Sequence, residues 1–340
     1  MRRREFIAGG LVLIAASKTR AQSAASEQDK LARMSVMTYC FDSIIKGGLG
    51  RPDDPNRTLD ILDAPQMLVD HYGIHHIEMQ HTHFAGTDKA YFAEMRGRLK
   101  KANSQLTQIC LEFDFVDISS KEIYQRLEMI DLCKTWTDYA VQLGCPRLLV
   151  NQGRLTPDVV ETAKTCLKAI GDYAKTQKIA IDLENRGGGR RPAAAAAGAA
   201  PGGAAPTAGA PPAGAMAGGP PAAAPQAAPA GGNGGNPPQV GGGWDVLVEV
   251  IKAAGVYANP DIGNFPDNDA REAGLRVMYA MTSGNSHAHY APDRYDEAKC
   301  VAISKEVGYK GLFSIETGRN NGPDPYANVQ MVRDAFMKIL

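Results

Sequence analysis

Eight short apolar runs alternate with longer stretches whose apolar residues recur at helical spacing, from Met34 to the end of the chain, and no other feature restricts the fold so far. The runs are S-V-M-T-Y-C-F, I-H-H-I-E-M-Q, L-T-Q-I-C-L-E-F, R-L-L-V-N, I-A-I-D-L-E-N, V-Y-A-N-P-D-I, T-S-G-N-S-H-A-H and G-L-F-S-I-E-T. Between them lie amphipathic segments such as Thr87 to Ala102, Lys121 to Leu143 and Pro157 to Lys175. Strands separated by a helix pair in parallel, because the chain needs a crossover before it can run again in the same direction. Eight such units predict an α/β protein, a (β/α)8 TIM barrel. An open doubly wound sheet would more often carry a G-x-G-x-x-G phosphate loop after its first strand, and K-G-G-L-G-R-P at 46–52 lacks that spacing.

Two segments stand outside the alternation. Residues 187–243 are almost entirely Ala, Gly and Pro, with no charge after Arg191. Such a stretch cannot offset its own ordering entropy, so a disordered insertion after the fifth strand is expected, dividing the barrel into 34–186 and 244–340. Residues 1–26 begin M-R-R-R-E-F-I and continue through a short apolar stretch into small residues, the pattern of an export signal with cleavage after Ala21. Arg3 and Arg4 resemble a twin-arginine signal, which implies the twin-arginine export machinery as a partner and a periplasmic or secreted destination. The apolar part, about ten residues, falls short of the roughly twenty that span a bilayer, so no stable membrane span is expected after cleavage. Six cysteines would ordinarily suggest disulfides in an exported chain, but a protein folded before export meets a reducing compartment first, and buried free thiols are expected. The formal net charge is +0, with no long basic run, which argues against nucleic acid and for a small-molecule substrate. Nothing in these features bears against an oligomer.

Chemistry concentrates at the carboxyl ends of four runs: Glu184 in I-A-I-D-L-E-N-R, Asp261 in A-N-P-D-I-G-N-F, His287 and His289 in S-H-A-H-Y, and Glu316 in F-S-I-E-T-G. In a parallel barrel these ends converge on one rim. Three carboxylates with one imidazole, from either histidine, form an oxygen-rich set that suits Mn²⁺ first, with Mg²⁺ and Co²⁺ close behind; a structural Zn²⁺ site would favour thiolates. Without a cation, three carboxylates in one cavity would repel and take up protons. A divalent ion with two open positions could polarise a substrate carbonyl, leaving Glu184 and Glu316 as general base and acid on opposite faces of the adjacent carbon. That chemistry gives an isomer or epimer through an enediolate. Glu78, His81 and His83 at the second strand end, and Asn151 and Gln152 at the fourth, are candidate pocket residues. His75 and His76 begin a strand and read as structural, and Trp136 and Trp244 lie in helical patterns and read as packing.

These residues also resemble a known family, the xylose isomerase-like TIM barrels, which include sugar phosphate isomerases and epimerases, ketose 3-epimerases, hydroxypyruvate isomerase, inosose dehydratase and the endonuclease IV branch. The matching pieces are L-E-N-R, P-D-I-G-N-F, S-H-A-H and Y-K-G-L-F-S-I-E, and the similarity runs from about Met34 to Leu340 without the insertion. The resemblance implies a divalent-metal-dependent sugar isomerase or epimerase with Glu184, Asp261, His287 and Glu316 as metal ligands and the two glutamates as the acid-base pair. It allows Zn²⁺ as well as Mn²⁺, and it implies a sugar or keto-sugar substrate. The chain departs from the pattern in three places: His289 stands where many members carry Lys, Asn264 where His is usual, and Arg186 where His is common. His289 and Arg186 are thus expected to contact substrate. The same proton abstraction on a 3-keto-glycoside would expel the aglycone, so a lyase is the alternative enzyme, and a non-catalytic envelope binding protein is the alternative to an enzyme.

Overall fold

The computed structural model describes residues 27–49, 54–113, 115–186, 243–318 and 322–340. The signal expected over 1–26 lies outside the described residues, as does the insertion expected over 187–243 apart from Gly243. Eight strands run β1 (Met34–Met37), β2 (His76–Gln80), β3 (Gln105–Leu111), β4 (Arg147–Val150), β5 (Ala180–Glu184), β6 (Tyr257–Asn259), β7 (Asn285–Ala288) and β8 (Leu312–Ile315). A helix follows each: α1 (Ala64–Tyr72), α2 (Lys89–Lys101), α3 (Ile123–Leu143), α4 (Val160–Thr176), α5 (Trp244–Ala254), α6 (Asn268–Tyr279), α7 (Glu297–Glu306) and α8 (Pro325–Ile339). Every ladder is parallel, in the order β6-β5-β4-β3-β2-β1-β8-β7. Two single bridges, Ala258 to Thr282 and Asp261 to His287, join β6 to β7 and complete the ring. The fold is a TIM barrel, as the alternation predicts.

Strand β6 is only three residues long because Pro260 follows it and has no N–H for a ladder. Its carbonyl is still used, accepting from the His287 amide at 2.9 Å. This local defect thins the seam between β6 and β7 yet fixes Asp261 beside His287.

The two faces of the strands have different composition, as a period of two requires. Outward residues, among them Val36, Ile77, Met79, Ile109, Leu148, Ile181, Leu183, Phe313 and Ile315, join one continuous core with the helices. Inside the ring, Met37, Cys110 and Leu149 form a small separate apolar cluster. Much of the remaining interior is polar and buried: Ser35, Glu78, Gln108, Asp182, Asn259, Asn285 and Ser314. Gln108 Nε2 donates to Glu78 Oε1 at 3.0 Å, and Asn285 Nδ2 donates to Glu78 Oε2 and Asn259 Oδ1, both at 3.0 Å. A hydrogen-bonded polar layer therefore stands where such barrels more often stack aliphatic side chains.

Loops at the carboxyl-end rim of the barrel are tied down by aspartates at helix starts. Asp88, Asp267, Asp296 and Asp324 accept from amides in the first turns of α2, α6, α7 and α8. All six cysteines are free and buried, as expected. No helix among the described residues is long and apolar enough to cross a membrane.

Phe313 of β8 is 1% exposed, lies 5.5–5.6 Å ring to ring from Tyr309 and Phe336, and has the Arg33 guanidinium 5.5 Å from its centroid. Phe313→Ala is expected to cost about 3–5 kcal/mol, to be measured as the fall in unfolding free energy in urea.

Candidate active site

Glu184 is the last residue of β5, Asp261 lies two residues beyond β6, His287 is inside β7 and Glu316 directly follows β8. One ligand atom from each lies within 4.8 Å of the others, at the carboxyl end of the barrel. Glu184, Asp261 and His287 are buried, and Glu316 is partly so. Local backbone shapes this arrangement. Asn185 grips the Asp261 backbone from both sides, its Oδ1 accepting from the amide at 2.8 Å and its Nδ2 donating to the carbonyl at 2.9 Å. The Gly263 amide donates to Asp261 Oδ1 at 2.6 Å. A Cβ at Gly263 would lie 3.0 Å from His289 Cδ2 and 3.2 Å from Asp261 Oδ1, so glycine at that step of P-D-I-G-N lets the loop pass close without displacing either side chain.

The imidazole of His287 is held at both nitrogens. Nε2 is 3.0 Å from Glu78 Oε1 in the layer below, and Nδ1 is 3.2 Å from Glu184 Oε1 and 3.0 Å from Glu316 Oε2. His289 Nε2 lies 3.0 Å from Asp261 Oδ2 and 3.5 Å from Glu316 Oε2. Asn264 Nδ2 donates to Glu184 Oε1 at 3.1 Å and Asp261 Oδ2 at 2.6 Å. On the outer side of Glu184, Arg186 Nε donates to Oε2 at 2.7 Å while its Nη2 pairs with Glu112. Gln80 Nε2, 3.2 Å from Glu112 Oε2, steadies that second carboxylate.

The charges respond to one another. Burial alone would strip the proton from His287, but Glu78, Glu184 and Glu316 outweigh it and hold the ring well above the ordinary histidine pKa. Burial would likewise raise Glu184, yet Arg186 and His287 keep it well below the carboxylate range. Asp261 is pushed up to about 6 by burial, with His289 pulling it down and Glu184 pushing it up. For His289, burial acts downward while Asp261 and Glu316 raise it to about 9. In the absence of metal, histidine protons are the positive charge at the heart of the carboxylates.

The donor set fits a divalent cation. Glu316 Oε2 is buried and near two histidine nitrogens, but it is not aligned to receive a hydrogen bond from either. A buried anionic oxygen without a donor is costly, and a cation is the partner that satisfies it. Glu78 behind His287 Nε2 also matches the way a metal-bound imidazole gives its second nitrogen to a carboxylate.

Other sequence expectations fare differently. Arg186 and His289 reach the centre. Glu78 does not line the mouth: it is fully buried one layer down, because β2 extends two residues past it. His83 is also fully buried, with Nδ1 2.8 Å from Thr38 Oγ1 and Nε2 3.0 Å from Asp42 Oδ1. His81 packs edge-on against Phe113 and Trp136 and accepts from the Glu112 amide. Asn151 accepts from the Gly153 amide at 3.0 Å and shapes its own loop. Glu112, by contrast, was missed; it ends C-L-E-F two residues after the inward-facing Cys110, the same strand-end position that singled out the other carboxylates. Trp244, read as packing, lines a pocket of about 260 Å³ beside the centre with Asn185, Arg186, Asn264, Phe265 and Pro266.

A family model described as a xylose isomerase-like TIM barrel matches residues 68–195, a span that includes Glu184 and Arg186 but not Asp261, His287 or Glu316. No curated protein matches the chain by sequence. Among solved structures, the chain is similar to a xylose isomerase domain protein from Planctomyces limnophilus, at 14% identity over 90% of this chain and 96% of that one, with a TM-score of 0.56. It is similar to a 3-keto-D-glucoside 4-epimerase from E. coli at 12% identity, over 91% and 99% of the two chains and a TM-score of 0.58. A D-allulose 3-epimerase from Methylomonas sp., in complex with D-allulose, matches at 11% identity, over 91% and 97%, with a TM-score of 0.58. At such identities the likeness is one of fold.

Folded His289 keeps its proton to about pH 9, whereas an ordinary histidine releases it near 6.5, so the stability of metal-free protein should fall as pH rises through that window. Urea midpoints in chelator at pH 6.5 and 9 measure this. Mn²⁺ should bind more tightly as pH rises and release protons on binding, which calorimetry in buffers of different ionisation enthalpy will count. Asp261→Asn should remove the thermal stabilisation by Mn²⁺.

Proposed function

We propose that this chain is a divalent-metal-dependent sugar isomerase or epimerase of the xylose isomerase-like family, acting on a keto-sugar by removing a proton from the carbon beside a carbonyl. The observation that carries the reading is the gathering of Glu184, Asp261, His287 and Glu316 within 4.8 Å at the carboxyl end of a TIM barrel. Those four residues would hold the ion, and Mn²⁺ is the first choice for an oxygen-rich set, ahead of Mg²⁺, Co²⁺ and Zn²⁺. When bound, the ion supplies Lewis-acid polarisation of a substrate carbonyl, which acidifies the neighbouring C–H.

The side chains divide the remaining work. Glu316, which no arginine among the described residues holds, is the carboxylate placed to accept the carbon-bound proton. Glu184 directs Oε1 toward the centre and keeps Oε2 on Arg186, so it returns a proton to the opposite face only if that pairing relaxes. His289 joins Asp261 to Glu316 and is a quarter exposed, placed to touch a substrate hydroxyl. Arg186 is already paired with Glu184 and Glu112, which leaves less of its charge for a phosphate and favours unphosphorylated sugars. Export by a signal in residues 1–26 to the periplasm or beyond would agree with such substrates, and this location is part of the proposal.

The Arg186 clamp also favours a second reading. Elimination from a 3-keto-glycoside needs one well-placed base, whereas epimerisation needs proton stations on both faces. Incubation with a 3-keto-glycoside separates the two, since elimination releases the aglycone and epimerisation retains it.

Solvent deuterium should enter a ketose or keto-glycoside substrate at the carbon next to the carbonyl, followed by mass spectrometry on Mn²⁺-loaded protein. Glu316→Gln is expected to slow this exchange by about 10²–10⁴-fold. Exchange at the wild-type rate in that variant removes Glu316 from the mechanism, and metal-loaded protein that exchanges no member of a broad panel contradicts the enzyme.

A further inference from the structure

The pocket of about 260 Å³ next to the carboxylate centre is not used by the chemistry above. It shares two residues with that centre, which form the wall between them. Asn264 lines the pocket while its Nδ2 bonds Glu184 and Asp261, and Arg186 lines it while bonding Glu184. A fragment attached to a sugar held at the centre would therefore lie one side chain away from this pocket and reach it past Asn264 and Arg186.

The walls state what kind of fragment fits. Trp244, Phe265, Pro266 and Ala270 supply the apolar side. Both polar groups of Asn185 are spent on the Asp261 backbone, Asn264 Nδ2 on two carboxylates, and Arg186 on Glu184 and Glu112. Most of the amide and guanidinium donors in the wall are thus engaged already, which disfavours the many hydroxyls of a second sugar. Asp245, exposed at the edge, disfavours an anion. The volume lies near the lower limit, about 300 Å³, of pockets that take drug-sized ligands, which suits a single ring. The rings are also seated with care. A Cβ at Gly274 of α6 would lie 2.4 Å from Phe265 Cε1 and 3.1 Å from Trp244 Cδ2, so the glycine lets both rings lie back against the helix and leaves the cavity open.

We infer that this pocket is an aglycone subsite that takes a flat, uncharged aromatic ring, making aryl glycosides, in keto form, the preferred substrate class. The inference rests on the reading of the carboxylate centre as a sugar site, but the subsite itself can be probed without turnover. Trp244 is one of two tryptophans, and the other, Trp136, is buried among Phe84 and Tyr139, away from this pocket.

The test is tryptophan fluorescence of the full-length protein titrated with p-nitrophenyl glucoside, methyl glucoside, cellobiose and p-nitrophenol, in a mildly acidic buffer that keeps the phenol uncharged. Saturable quenching by the two nitrophenyl compounds, with affinity at least tenfold above that of the methyl glycoside, is expected. Phe265→Ala should weaken it at least tenfold. Gly274→Ala, a change that favours the helix, should weaken it too by pushing Phe265 into the cavity. Equal affinity for aryl and methyl glycosides, tighter binding of cellobiose, or an unchanged nitrophenyl affinity in Phe265→Ala overturns the subsite. The two proposals fail separately. Nitrophenol bound in the pocket with no deuterium exchange into any sugar leaves the subsite and removes the sugar chemistry. Keto-sugar exchange with no aryl preference does the reverse.

Discussion

One imidazole sits where four carboxylates would otherwise face each other across a largely buried barrel mouth. His287 meets Glu78 from below and Glu184 and Glu316 from above, while Asp261 is bridged to it through the backbone. Ionised carboxylates cannot be buried without compensation, so a positive centre is a condition for these side chains to share the site at all. In the metal-free protein that centre is a proton, and a divalent cation fits the same demand with more charge. The Asp261 to His287 bridge is also one of two that close the ring, so closure of the barrel and assembly of the site are one structural event.

Stability and function are divided between the two faces of the strands. Outward residues join a large continuous apolar core with the helices, and this permits an interior of Glu78, Gln108, Asn259 and Asn285 that contributes orientation more than burial. The polar layer fixes the tilt of His287 through Glu78, and His287 in turn sets the spacing of the rim carboxylates. Arg186 adds an asymmetry: it ties Glu184 to Glu112 and leaves Glu316 as the less encumbered carboxylate. Two glutamates equivalent in type are therefore unequal in environment.

Much of this was readable from residue order. Carboxylates at the ends of I-A-I-D-L-E and L-F-S-I-E were legible because strand ends in a parallel barrel face one rim, whichever loops follow. Glu78 misled because its strand continues to Gln80, which drops it one layer below the mouth and makes it a support for His287 instead of a pocket residue. His83 misled because the turn at His81–His83 directs its ring to Thr38 and Asp42. Trp244 carried no sign of its pocket role: its helical pattern was real, but the first turn of α5 stands against Phe265 from the next loop.

What the amino-acid order determined on its own was the number of βα units, the inward and outward alternation and the side-chain types at the rim, because these follow from local periodicity. Only the tertiary structure decided which histidine stands among three carboxylates, which glutamate is clamped by Arg186, and where an apolar cavity opens beside them. Those outcomes depend on strand length, on a proline that cuts β6 short and on close approaches at Gly263 and Gly274, distances between residues far apart in the chain that no local pattern encodes.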